Sequence, residues 1–299
     1  REMTGAGMMD CKKALTNTDG DMDAAVEYLR ENGLAKAAKK AGRIAAEGLV
    51  AVALSDDAKE AAIVEVNSET DFVAKNDTFQ AYVAEVADQA LTTQAADIEA
   101  FLAEESKAEA GKTVKEALDG KIAVIGENLN IRRFSKMAAE DGFVASYIHA
   151  GGKIGVLVHV ATDVVNDEIK EMGKNVAMQV AAIAPKYTSR DEVSKDYIDH
   201  ETEILKIQAK NENPDKPDNI IEKMIIGRLN KELKEVCLLD QAYVKAEDGK
   251  QAVGKYVEQV AKANGANVTI KEFVRFETGE GIEKKEENFA EEVAKQMGN

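Results

Sequence analysis

The sequence is poor in several residue types, and each shortage excludes a class of protein. Its 299 residues contain no tryptophan, two cysteines and three histidines. The cysteines, Cys11 and Cys237, are too few for a disulfide framework and are typical of a reducing compartment. The histidines, at positions 149, 159 and 200, have no cysteine or carboxylate cluster at metal-ligand spacing around them. We therefore expect no metal site and no cofactor.

Positive charge and long apolar runs are also scarce. Lys and Arg number 39 against 55 Asp and Glu, so the net charge is −16. Such a chain repels phosphate, which argues against a nucleic-acid partner. The local basic run at residues 36–43 is interpreted as a solvated helix face. No stretch approaches 18 apolar residues and no charged-then-apolar leader opens the chain, so we expect a soluble, cytoplasmic protein without a membrane partner.

An internal duplication organises the middle of the chain. Residues 47–51 (EGLVA) match residues 141–145 (DGFVA) at an offset of 94 (141 − 47). Each copy is interpreted as strand, turn, strand and helix, followed by a third strand at 130–134 or at 272–276. Because those third strands differ by 142 positions (272 − 130), the second copy is predicted to contain an insertion of 48 residues (142 − 94).

The insertion has the pattern of a helical hairpin. Ser189 and Glu192 are interpreted as a capping box. The stripe expected to follow it consists of Val193, Tyr197, His200, Ile204 and Ile207. Residues 211–218, which contain two prolines, turn the chain, and a second stripe runs back through Ile221, Met224, Ile225, Leu229 and Leu233. Two antiparallel helices with one apolar seam each predict a protruding arm for interactions.

Both ends of the chain have helical patterns. After a turn at residues 19–21, apolar residues at helical spacing predict a helix with Gly33 as its C-cap. A second short helix is predicted over residues 34–41, before a linker that begins at Gly42. Near the other end, Phe289, Val293 and Met297 recur every four residues and predict a short amphipathic helix.

The most informative segment is residues 70–76 (TDFVAKN), which follow a strand-like apolar run. A phenylalanine at a strand-to-helix junction forgoes roughly 1.5–3 kcal/mol of burial if it stays in water. For a random phenylalanine, folding back onto the core would be the commoner outcome. The second copy has Val164-Val165-Asn166 in place of Thr70-Asp71-Phe72. This asymmetry favours a role outside the fold.

Residues 70–76 resemble the signature of the elongation factor Ts family, the guanine-nucleotide exchange factors of elongation factor Tu. Three further segments, 1–15, 125–133 and 275–284, resemble the same family, so the resemblance covers nearly the whole chain. It implies an α+β fold with two duplicated subdomains, each containing a three-stranded antiparallel sheet. The divisions implied are a three-helix, ubiquitin-associated-like module (1–45), core subdomain N (46–140), core subdomain C (141–187 and 238–278), the inserted hairpin (188–237) and a C-terminal module with a helix (279–299).

The resemblance also implies a function, which is exchange without enzymatic catalysis. Thr70, Asp71, Phe72 and Val73 would dislodge the magnesium ion bound with GDP on elongation factor Tu. His149 would disturb the phosphate-binding loop. Subdomain C would hold the partner's third domain, and the C-terminal helix would return to the G domain. In the N-terminal module, Met8 and Met9 would pack on a G-domain helix. The hairpin is left open as a homodimer contact, a partner contact or a contact with another complex.

Several residues outside these segments have structural interpretations. Residues 106–113 nearly spell a phosphate-binding loop but lack its first glycine and its preceding strand, so we predict a loop that opens a helix at Val114. Arg132 and Arg133 should point to opposite faces of their strand and form salt bridges. His159 is predicted to lie on a sheet face, and His200 to pack in the hairpin.

Two other classes of function remain as alternatives. A peptide-binding or chaperone-like protein would bind through residues 1–45 alone, and Phe72 would be dispensable. An enzyme could use Asp71 and His149 as an acid–base pair, which requires them to lie within hydrogen-bond reach in a closed pocket.

Overall fold

The computed structural model describes residues 1–4 and 6–283, and they form an α+β fold, as predicted. The strands are β1 (Glu47–Leu54), β2 (Glu60–Ser68), β3 (Asn130–Ala138), β4 (Phe143–His149), β5 (Ile154–Thr162) and β6 (Val268–Glu277). The helices are α1 (Met8–Asn17), α2 (Met22–Lys40), α3 (Asp71–Ala74), α4 (Asp77–Thr92), α5 (Ile98–Ala103), α6 (Val114–Ile125), α7 (Asp167–Ile183), α8 (Lys195–Glu212), α9 (Asp218–Val236) and α10 (Val253–Ala263). No helix in the described part of the chain has the length and apolarity needed to cross a bilayer.

Two antiparallel sheets, ordered β1-β2-β3 and β4-β5-β6, pack face to face. Strand β2 shows how alternation builds this arrangement, because successive side chains of a strand point to opposite faces. Ala61 and Ile63 enter the layer between the sheets, whereas Ala62 and Val64 pack under the helices of the first copy. The central strands are therefore buried on both faces, and each sheet has its helices on the outside.

The duplication is confirmed, but the offset predicted for the third strands is wrong. Val66 pairs with Ile131, and its equivalent Val160 pairs with Ile270. The third strands therefore differ by 139 positions (270 − 131), and the insertion is 45 residues long (139 − 94). The prediction had matched Phe134 to Phe276, whereas the strand register gives Phe273 the place of Phe134.

A β-bulge explains why the prediction for Arg132 and Arg133 is wrong. The register of β2 against β3 shifts between Glu65 and Val66, so two residues of β3 stand opposite one residue of β2. Both arginines therefore reach the same buried carboxylate. Arg132 Nη1 lies 3.0 Å from Glu65 Oε1, and Arg133 Nε lies 2.6 Å from Glu65 Oε2. The expected salt bridges exist, but both form with Glu65.

The N-terminal helices differ from the prediction at Gly33. The chain continues through this residue as one helix, α2, instead of breaking into two. A glycine inside a helix costs roughly 0.5–1 kcal/mol relative to alanine. Here, however, it allows close packing against α6, since a Cβ atom on Gly33 would lie 3.3 Å from the Cβ atom of Ala123. At the start of α6, Thr113 and Glu116 form a capping box, and the predicted helix start at Val114 is confirmed.

The inserted hairpin is present as α8 and α9, with a seam that differs on its first helix. Helix α8 is capped by Ser194, so the predicted capping box at Ser189 is wrong. Val193 and Tyr197 of the predicted stripe do pack in the seam, but the rest of the stripe leaves it. The residues that pack toward α9 include Tyr197, Ile198, Leu205 and Ala209, whereas His200, Ile204 and Ile207 are exposed. The stripe predicted for α9 is confirmed. The helix predicted around Phe289 lies outside the described residues.

Candidate functional site

The segment predicted to be functional forms a separate single turn of helix, α3, between β2 and α4. Thr70 is its extended N-cap residue, and its hydroxyl accepts from the Val73 N–H at 3.4 Å. Asn76 then leaves the helical conformation and caps α4, accepting from the N–H groups of Thr78 and Phe79 at 2.9 and 3.3 Å. The helix is thus interrupted at Asn76. The short helix α3 forms a tip at the end of the sheet.

Phe72 projects from this tip into solvent. It is 80% exposed, the highest value among the large apolar side chains that the structure describes. Its neighbours point the other way, since Val73 packs against the first core and Ala74 is buried in it. The turn of helix is anchored by two apolar side chains while Phe72 remains uncovered.

Asp71 carries the charge of the tip. Its Oδ2 lies 2.7 Å from the ammonium of Lys75, one turn further on. This hydrogen bond and the attraction of Lys75 hold the pKa of Asp71 below its usual range, with a smaller contribution from Lys153. Lys153 belongs to the β4–β5 turn of the second copy, and its ammonium bonds to the Glu47 carboxylate at the start of β1.

That turn carries His149 at the end of β4. Gly152, with a φ of +101°, lies so close to β1 that a Cβ atom on it would be 2.7 Å from Leu49 Cδ2, and its carbonyl accepts from the Val50 N–H at 2.7 Å. Residue 47 of β1 pairs with residue 68 of β2, two positions before Thr70. His149 and the tip are therefore held at the same end of the molecule. The His149 side chain is exposed, and its Nδ1 lies 3.1 Å from the Tyr147 hydroxyl.

Met8 and Met9 lie in the first turn of α1 and are 68% and 73% exposed. The helix that carries them is held to α2 by an ion pair between Asp10 and Lys36, whose side-chain atoms lie 2.9 Å apart. These flexible thioether side chains suit adaptable apolar contacts. The basic run that contains Lys36 is thus partly engaged in contacts within the protein.

The acid–base interpretation finds no support in the hydrogen bonds of the two residues it needs. Asp71 bonds to Lys75 and His149 bonds to Tyr147, and no hydrogen bond joins Asp71 to His149. Both side chains stand at the surface instead of in a closed pocket.

Sequence reasoning missed the residues that hold the tip from behind. The loop between α6 and β3 places the Glu127 carboxylate against Thr70, and the backbone N–H of Asn128 donates to Glu69 Oε1 at 2.6 Å. Residues 125–133 had been singled out for their resemblance alone. The signal available in the sequence was a carboxylate and an amide directly after Gly126, a pattern typical of a helix C-cap loop that bonds to a neighbour.

An uncovered phenylalanine on an anchored tip, with no catalytic pair beside it among the described residues, favours a protein that acts by contact with another protein. Comparison with known families agrees with this class. The family model described as Elongation factor TS matches residues 69–280. The curated elongation factor Ts of Clostridioides difficile (strain 630) is 58% identical over 99% of this chain and 96% of its own length. Those of two Clostridium botulinum strains, Eklund 17B and Alaska E43, are 55% and 54% identical over 100% of this chain and 96% of their own lengths. The chain belongs to the elongation factor Ts family.

Proposed function

We propose that the chain binds elongation factor Tu with GDP and promotes GDP release by dislodging the bound magnesium ion. The observation that carries this proposal is the 80% exposure of Phe72 on an anchored tip. Because the backbone of the turn is already anchored, a partner that receives Phe72 has less of the chain to order, which favours binding. Phe72 would enter an apolar slot of the G domain and displace the segment that orders the magnesium site.

The other residues of the site have supporting roles in this proposal. Asp71, which stays ionised, would hold the displaced segment through polar contacts, while Thr70 and Val73 keep the turn in place. His149 stands at the same end of the molecule, where it would disturb the phosphate-binding loop. Met8 and Met9 would pack on a helix of the G domain, and the second copy would hold the partner's third domain. Loss of magnesium removes a charge that clamps the phosphates.

Thermodynamically, the proposal is negative coupling between two ligands of elongation factor Tu. The factor and GDP each weaken the binding of the other by the same ratio, so nucleotide that binds later expels the factor. No covalent bond is made or broken in this cycle.

The test is release of a fluorescent GDP analogue from elongation factor Tu in excess magnesium. Wild-type chain should accelerate release strongly, and Phe72→Ala should lose about 30-fold of that acceleration, the equivalent of a hot spot worth about 2 kcal/mol. Val165→Ala is the matched control, because Val165 is the half-exposed residue at the corresponding junction of the second copy. It should leave the acceleration unchanged. Equal rates for Phe72→Ala and wild type would contradict the proposal.

A chelator separates the magnesium mechanism from other ways of opening the site. When magnesium is removed, loss of the ion no longer limits the rate of spontaneous GDP release. The ratio of wild-type to Phe72→Ala rates should then fall toward one. A ratio that stays constant would mean that Phe72 acts on another part of the nucleotide site.

A further inference from the structure

The loop between α6 and β3 grips the start of the tip with one carboxylate. Glu127 Oε2 accepts from the backbone N–H of Thr70 at 3.0 Å, and Glu127 Oε1 accepts from the Thr70 hydroxyl at 2.6 Å. These are charge-assisted hydrogen bonds, the stronger kind in proteins. They reach across 57 positions of the chain, from a loop to which the function proposed above assigns no part.

The residue that Glu127 grips decides how the turn begins. Thr70 is the N-cap of α3, and its hydroxyl can donate to Glu127 while its lone pairs accept from Val73. The carboxylate thereby fixes both the backbone and the side-chain rotamer of the cap. A helix of four residues cannot hold its own geometry in water. The direction of Phe72 therefore depends on the anchors at the two ends of the turn.

Glu127 itself stands on a fixed base. Gly126 ends α6 in the left-handed conformation, with a φ of +90°. Asn128 is buried, and its side-chain amide donates to the carbonyl of Arg43 at 2.7 Å. The side chain of Arg43 in turn lies 3.5 Å from Glu69. The carboxylate thus connects Thr70 to the folded body of the molecule.

We propose that Glu127 is a positioning residue for exchange, which acts by aiming Phe72 and does not touch the partner. This inference rests on the function proposed above. Without the carboxylate, Phe72 would remain exposed but would lose its orientation. The factor would still reach elongation factor Tu, yet it would open the magnesium site less often once bound.

The first experiment measures GDP release against factor concentration, which gives a maximal rate and a half-saturating concentration. Glu127→Ala should lower the maximal rate about tenfold, within the range that small misplacements of a working group produce. The half-saturating concentration should change little. Glu127→Gln, which keeps one acceptor, should give an intermediate rate. The melting temperature of each variant checks that it is folded.

The decisive arm repeats Glu127→Ala in the Phe72→Ala background. If Glu127 works through Phe72, the second substitution should cost less than about twofold there, because the two effects are not independent. Equal losses in both backgrounds would mean a purely structural role and overturn the inference. No loss in the wild-type background would also overturn it, while the function proposed above would stand. If Phe72→Ala alone had no effect, that function itself would fail.

A spectroscopic experiment measures how firmly the side chain at position 72 is oriented. The chain has no tryptophan, so Phe72→Trp introduces a single indole at the tip. Adding Glu127→Ala should lower the fluorescence anisotropy of that indole in the free protein. The matched control is Asp163→Ala, since Asp163 grips Asn267 in the same way, with contacts of 2.8 Å to its N–H and 2.7 Å to its side chain. It should leave the anisotropy unchanged. If Glu127→Ala also leaves it unchanged, the carboxylate does not position the tip.

Discussion

The two copies of the duplicated unit use the junction after their central strand differently. In the second copy, Asn166 caps one continuous helix, α7, directly after β5. In the first copy, the same stretch is divided, because α3 ends at Ala74 and a new cap at Asn76 starts α4. At the offset of 94, Phe72 occupies the place of Asn166. One copy has a helix cap at this position and the other has an exposed aromatic residue. The copy with the aromatic residue has two helices where the other has one.

The copies also differ in which loop supplies the carboxylate that joins the junction to the loop before the third strand. In the first copy, the loop before the third strand supplies the carboxylate, Glu127, which grips the junction after the second strand. In the second copy, the junction supplies the carboxylate, Asp163, which grips Asn267 before the third strand. The same two loops are therefore joined in both copies, but the carboxylate comes from opposite loops. The first arrangement carries the more exposed apolar side chain, since Phe72 is 80% exposed and Val165 of the second junction is 50% exposed.

The largest effect is expected at the bulged position that the copies share. Glu65 is buried and bonded to two arginines, whereas its equivalent His159 bonds to Asp141 through Nε2. Glu65→Ala should lower the free energy of unfolding by about 3–5 kcal/mol, because it removes the shared partner of two half-buried arginines and leaves the buried N–H of Gly279 without its acceptor. His159→Ala should cost about 1–3 kcal/mol. Urea denaturation measures both free energies of unfolding. Equal losses would contradict the prediction, because they would mean that the two sites contribute equally to stability.

A second comparison concerns where each core places its aromatic ring. Phe79 of α4 is fully buried, and its equivalent in α7 is Gly173, which faces the ring of Phe143 from the sheet. Phe79→Ala should cost about 3–5 kcal/mol by leaving a cavity. Gly173→Ala should cost about 1–3 kcal/mol by overpacking, since its Cβ would meet three side chains at 3.0–3.2 Å. Thermal unfolding measures both, and a stabilised Gly173→Ala would mean that the second core has unused space.

A smaller effect on stability is expected at Asn166, the N-cap of α7 in the second copy. The Asn166 side chain accepts from the Ile169 N–H at 3.0 Å. Asn166→Ala should destabilise the protein by about 1 kcal/mol, the usual value of an N-cap. GDP release from elongation factor Tu should not change, since none of the residues proposed above to act in exchange follows this cap. Urea denaturation and the exchange assay check the two halves of this prediction, and a loss of exchange would place the second junction in the functional surface as well.

The smallest effect appears only in acid. Burial alone would raise the pKa of Glu65, but hydrogen bonds from Gly279, Asn67 and Arg133 outweigh it and hold that pKa below its ordinary value of 4.5. A depressed carboxyl contributes stability that is complete above pH 4.5 and is lost as the pH falls through the lowered pKa. Relative to Glu65→Gln, the wild type should therefore lose stability in that acid range. Parallel urea titrations from pH 7 to pH 3 test this, and parallel stability curves for the two proteins would contradict it.

Much of the fold could be predicted because it depends on local patterns. Alternation along β2, the offset of 94 and the stripe of α9 each follow from side-chain periodicity. Two of the errors arose where a tertiary contact overrides the local pattern. Gly33 continues its helix because α6 packs against it, and the bulge opposite Glu65 brings Arg132 and Arg133 to one carboxylate. Neither contact leaves a periodic trace in the sequence.

The candidate site divides in the same way. Phe72 could be singled out because the two copies differ at its position. Glu127 could not be assigned a role, because its partner Thr70 is 57 positions away and a carboxylate in a loop is usually solvated. The sequence therefore indicates the exposed side chain, Phe72, more readily than the side chain that we propose to position it.

The bond from Gly279 to Glu65 has a consequence for synthesis of the chain. The N–H of Gly279 donates to Glu65 Oε1 at 2.8 Å, and the two residues are 214 positions apart. At the usual rate of about 5–20 residues per second, the carboxylate leaves the ribosome about 10–40 s before this partner exists. Through that interval the Glu65 carboxylate has only its partners within the first copy, Asn67, Arg132 and Arg133. The carboxylate of the first copy gains its last partner only after the strands of the second copy have been made.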